Sequence, residues 1–161
     1  MLIEKVVVNS SPLIVLFKSE QADLLPLLFK RIVVPEQVFS EVTDNKGDDS
    51  AKKNLPFVEW IIREKVEIPL SIAAWNLGKG ESSVFGYAMV ETEHWAIVDD
   101  LADRRCAKTF GIQTIGTGGL LILAKRRGII KSVKRRIDRF RDAGLYLSES
   151  VIQLLLSEAG E

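Results

Sequence analysis

The chain has one cysteine, Cys106, and one histidine, His94. A lone thiol excludes an intramolecular disulfide and a cysteine cage for a metal, and a chain without disulfides fits a reducing, cytoplasmic setting. His94 precedes Trp95 at a helix-to-strand junction and reads as a boundary residue, while Cys106 among Ala102, Ala107 and Phe110 reads as a small buried thiol. No apolar run is long enough to span a bilayer, and Met1 to Lys5 does not open a secretory leader, so no membrane role is expected. Charge of one sign is not in excess: Lys+Arg and Asp+Glu both total 22, so only the distribution of charge can speak for or against nucleic acid. Trp60, Trp75 and Trp95 are too scattered for a base-stacking platform, and there is no internal repeat.

With 161 residues and 47% hydrophobic composition, the chain reads as a single domain over 1–161. Its core is expected at about 5–128, with C-terminal helices at about 131–158. Val6-Val7-Val8 is a buried strand, and Ser10-Ser11-Pro12 starts a helix. A helix at 21–29, a strand at 31–34 and a helix opened by Pro35 follow, then an exposed polar loop at 44–50 leading into a short helix. Phe57 to Ile62 reads as a minor extended segment. Helices at 81–93, 101–110 and 117–127 then alternate with strands at 95–98 and 112–115, and helices at 131–143 and 148–158 finish the chain. Alternation of this kind predicts an α/β fold, a three-layer α/β/α sandwich with a mostly parallel central sheet and right-handed crossovers.

Oxygen-bearing side chains stand where buried elements end: Asn9 after Val8, Glu41 in the helix after Pro35, Glu81 behind Gly78-Lys79-Gly80, and Asp99-Asp100 after Val98. Parallel strands deliver their carboxyl ends to one edge, so these groups would pool there into a cluster suited to a hard cation such as magnesium. Each has a plainer reading. Asp100 suits a helix N-cap and a surface pair with Arg104, Glu81 suits a first-turn acid complementing the helix dipole, and Glu41 suits a rim salt bridge.

Five segments carry a resemblance to the PIN-domain family, on a branch near the toxins of toxin–antitoxin modules. They are Val8-Asn9-Ser10-Ser11-Pro12-Leu13-Ile14, Val34-Pro35-Glu36-Gln37-Val38-Phe39-Ser40-Glu41-Val42, Leu77-Gly78-Lys79-Gly80-Glu81-Ser82, Val98-Asp99-Asp100-Leu101-Ala102-Asp103-Arg104-Arg105 and Ile115-Gly116-Thr117-Gly118-Gly119-Leu120-Leu121. The resemblance implies a metal-dependent endoribonuclease. Asn9, Glu41, Glu81, Asp99 and Asp100 would bind Mg2+ or Mn2+, with Glu41, Glu81, Asp99 and Asp100 catalytic and Ser11 a polar helper. It further implies RNA as substrate, an antitoxin protein as partner and a homodimer. Asn9 departs from the family's acid at this place: an amide carries no charge and cannot accept a proton. The alternative is therefore a catalytically inactive PIN-fold module that binds RNA or protein.

Cations gather in one C-terminal stretch that includes Lys131, Lys134, Arg135 and Arg139, while Val133, Ile137 and Phe140 recur at helical spacing on the other face. Near an acidic metal cleft such a face would hold RNA phosphates; otherwise it is a solvated helix face. Gly116-Thr117-Gly118-Gly119 lacks the third glycine of a dinucleotide fingerprint and the Lys-Ser/Thr of a P-loop, and reads as a tight turn and cap.

Overall fold

The computed structural model describes residues 2–44, 46, 47 and 49–161; Asn45 and Asp48 of the expected polar loop lie outside the described residues. Five strands form the sheet: β1 (Lys5–Val8), β2 (Arg31–Pro35), β3 (Ile61–Glu64), β4 (His94–Ile97) and β5 (Thr114–Ile115). Their order is β3-β2-β1-β4-β5 and every pairing is parallel, with Lys5 opposite both Arg31 and His94. Parallel strands need cover on both faces, which is why the central ones are continuous apolar runs. Val6, Val7, Val8, Val33, Val34, Ala96 and Ile97 are wholly buried.

The helices are α1 (Ser10–Lys18), α2 (Leu24–Leu28), α3 (Glu36–Thr43), α4 (Ser50–Asn54), α5 (Leu70–Ala73), α6 (Lys79–Val90), α7 (Leu101–Thr109), α8 (Thr117–Arg126), α9 (Val133–Asp142) and α10 (Glu149–Glu158). The crossovers carry the chain outward from β1 to β3 and back through β4 to β5, with α1, α3 and α4 packed on one another and α3 packed also on α6. The order therefore reverses between β1 and β4. Crevices for ligands form at such a reversal, outside the carboxyl ends of the strands.

Several boundaries differ from expectation, and α5 has no counterpart among the expected elements; three of the differences have a visible cause or bear on the site. The helix expected at 21–29 shortens to α2, because Gln21 is fully buried and its side chain is bonded to Ser19 Oγ, to the Arg136 carbonyl and to the Arg136 guanidinium. The extended segment begins at Ile61, since Leu55–Phe57 forms a 3-10 turn. Glu81 lies inside the first turn of α6, which starts at Lys79 on an extended Gly78.

The two edges of the sheet are tied differently. At the carboxyl edge the Asn9 N–H donates to the Ile97 carbonyl at 3.2 Å. At the amino edge Arg127, just past α8, donates to the carbonyls of Leu28 and Ile3, which precede β2 and β1. Glu161 then joins the end of α8 to the start of α9: its carboxylate accepts from Lys125 Nζ at 2.9 Å, the Val133 N–H at 2.7 Å and Ser132 Oγ at 3.0 Å. Chiefly through the Lys125 bond, and then the Val133 N–H, its carboxyl is held down at about 2. The helix α9 therefore begins at the amino edge, about 15 Å of helix away from where α8 starts. Among the described residues no helix is long and apolar enough to cross a membrane.

Candidate functional site

The reversal between β1 and β4 sets Asn9 beside Asp99, and the crevice there is a cleft of about 440 Å³. Asn9, Ser11 and Gly78 line it together with four carboxylates, Glu81, Asp99, Asp100 and Asp103. Asn9 sits at the N-cap of α1 but its side chain caps nothing. The residue is 3% exposed, and its Oδ1 is buried without a hydrogen-bond partner. A buried carbonyl oxygen left so costs about 1–3 kcal/mol, unless a cation or water in the cleft meets it.

Each carboxylate is placed by a local cause. Asp99 follows β4, and its two oxygens accept from the Thr117 N–H and Thr117 Oγ1, both at 2.8 Å, which fixes the plane of the carboxylate against the start of α8. Asp100 is the N-cap of α7, its Oδ1 accepting from the N–H of Ala102 at 2.8 Å and of Asp103 at 3.2 Å. The plainer reading of Asp100 as a cap is thus what its bonds make, although it also faces the cleft. Among the described residues it forms no ion pair with Arg104. Glu81 enters from α6 across Gly78, where a side-chain carbon would strike Glu81 Oε2.

Glu41 does not line the cleft. It accepts from Ser10 Oγ at 2.6 Å and from the Gly80 N–H at 2.9 Å, so it stands behind the N-terminus of α6 and ties that helix to α1. Gly80 permits this approach: a Cβ there would lie 2.6 Å from either oxygen of Glu41. Ser11 reaches the cleft and its neighbour Ser10 holds Glu41, two roles that a sequence reading centred on Ser11 does not separate.

Asp103 is the residue that sequence reasoning missed. It is 5% exposed, and its carboxyl is pushed up to about 7, first by burial and then by the charges of Glu81 and Asp100. The available signal was spacing, because a residue three positions after the Asp100 cap lies over the same first turn of helix.

Among the described residues no three His, Cys, Asp or Glu side chains are grouped closely enough to enclose a metal ion. The donors lining the cleft are all oxygen, which suits a hard cation, and Mg2+ commonly takes only one or two carboxylates while keeping several waters. An open acid cleft with an unmet carbonyl oxygen fits that mode of binding and not a closed cage.

The basic stretch lies elsewhere. Lys131, Arg135 and Arg139, with Arg136, line a separate cavity of about 430 Å³ at the start of α9, and Lys134 is not among the residues that line it. Because α9 starts at the amino edge, this cavity is across the molecule from the acids, and these cations do not hold a phosphate that sits in the cleft.

No curated protein and no solved structure matches the chain. A family model described as a PIN domain matches residues 5–161, so the fold and the crevice at its strand reversal have a family: the chain belongs to the PIN domain family.

Proposed function

We propose that the cleft is the site of a magnesium- or manganese-dependent endoribonuclease. The observation that supports this best is the unpartnered Asn9 Oδ1, buried and facing a cleft lined by four carboxylates. PIN domains typically bind Mg2+. Glu81 and Asp99 would hold the ion, Asn9 would add a neutral oxygen, and Asp100 would assist from its cap position. When bound, the ion would polarise a phosphodiester oxygen and lower the pKa of a water for in-line attack.

The chain's own residues divide the remaining work. Thr117 orients Asp99 through both of its oxygens. Glu41 steadies the start of α6, and so Glu81, through the Gly80 N–H. Asn9 cannot take up a proton, and Asp103, buried beside Glu81 and Asp100, adds a fourth carboxyl to the cleft whose charge a bound cation would favour.

The test is cleavage of single-stranded RNA with and without Mg2+, beside Glu81→Gln. Activity should vanish on chelation and drop roughly a hundredfold or more in the variant; cleavage indifferent to both would end the proposal. The uncharged Asn9 favours one second reading, a silent module that binds RNA without cutting it. Under that reading the native chain binds RNA and never cleaves it, and Asn9→Asp, by returning a charge to the cleft, gains metal affinity.

A further inference from the structure

A second groove opens beside the cleft. Arg104, Lys108, Gly111, Ile112, Gln113 and Thr114 line about 380 Å³ between α7 and the edge strand β5, and no carboxylate is among them. Both cations are exposed. They are four residues apart on α7, hence on one face and about 6 Å apart along its axis, close to the spacing of successive phosphates in an extended single strand.

Gly116, just past β5, has Arg104 of the groove and Asp99 of the cleft against it. A Cβ there would strike the Arg104 guanidinium and would lie 2.8 Å from Asp99 Oδ1, so the first cation of the groove and a carboxylate of the cleft crowd the same side of one residue. The helix α7 starts at the acid edge, where Asp100 caps it, and runs toward the amino edge. A chain of phosphates leaving the acids would therefore pass Arg104 first and Lys108 next.

Resting on the ribonuclease reading above, we propose that this groove is the track of the RNA strand, with Arg104 and Lys108 taking the two phosphates next to the one in the cleft. Charge complementarity favours a polyanion here, and continuity with the acid cleft selects the strand being cut. The cations of α9, at the opposite edge, then contribute little to binding of a short substrate. Arg104 and Lys108 are positioning residues in this scheme and touch no reacting atom.

The experiment measures a short labelled single-stranded RNA binding to the Glu81→Gln chain, which does not consume it, over a salt series. Two double variants on that background are compared, Arg104→Glu with Lys108→Glu and Lys131→Glu with Arg135→Glu. All four positions are on exposed or half-exposed surface, and unchanged melting of each variant checks that the fold is kept. Loss of two phosphate contacts should flatten the log–log salt slope by at least about 1.4 and weaken binding at least roughly 25-fold at about 0.1 M salt, at about 0.7 per phosphate of a single strand, with the two new carboxylates adding to the loss. The α9 pair should leave affinity within about threefold, as expected where no phosphate contact is lost. Binding unchanged by the α7 pair, or lost only with the α9 pair, overturns the track while leaving the ribonuclease reading intact. Failure of the parent chain to bind RNA at all overturns both.

Discussion

Replacing Asp103 by Asn should stabilise the protein at neutral and alkaline pH. Its carboxyl ionises at about 7 in the folded chain and near 3.8 when unfolded. Between those values the folded state holds a proton that the unfolded state has released, so stability falls as pH rises through the window. The difference amounts to at most on the order of 4 kcal/mol for the ionised form, at about 1.4 kcal/mol per pKa unit. Water entering an open cleft reduces this, and about 2 kcal/mol is the working expectation at pH 8. In a chain of this size that is a rise of roughly 4–8 °C in melting temperature. Thermal melts of both proteins in metal-free buffer from pH 5 to 8 read it directly. The gap should widen from pH 5 to about 7 and then level off. A variant less stable at every pH, or a gap that does not change with pH, would refute the claim that Asp103 is a buried acid kept against its own stability.

Gly80→Ala should lower stability by about 1–3 kcal/mol in urea unfolding, because the new methyl displaces the Glu41 carboxylate and breaks its bonds to Ser10 and to the Gly80 N–H. His94 carries the opposite pH trend to Asp103. Burial, and then the neighbouring Arg31, hold its pKa below 6.5, and its Nε2 accepts from Arg31 Nε at 3.2 Å. Stability should therefore fall as pH drops below about 6.5, and His94→Gln in the Asp103→Asn background should flatten that limb of the melting curve. Glu161→Gln should cost about 1 kcal/mol in denaturant unfolding by weakening the cap on α9, with the difference from wild type shrinking as pH falls from about 4.5 toward 2.

Much of the fold was legible because parallel strands buried on both faces must be apolar throughout, and Val6-Val7-Val8 and Ile32-Val33-Val34 are such runs bounded by turn residues. The carboxyl ends of β1 and β4 then carried Asn9 and Asp99 to one edge, as the alternation of strands and helices required. Asp103 was not legible, because the charge of Glu81 that helps to raise its carboxyl arrives from a remote helix, and within Asp103-Arg104-Arg105 it resembles a solvated turn. The Ser10–Glu41–Gly80 link joins three remote segments and has no local signature. Position also escaped the sequence in the basic helix: amphipathic spacing gave α9 its buried face, whereas the clamp of Glu161 and the bonds of Arg127 put it at the far edge.

Diffraction from crystals soaked in Mn2+, recorded at the manganese edge, tests the central claim most directly. The account predicts an anomalous peak in the cleft within coordination distance of Glu81 and Asp99, with Asn9 Oδ1 facing the ion directly or through water. Manganese bound elsewhere while the cleft holds none, with Asn9 Oδ1 turned to a protein donor, would contradict it.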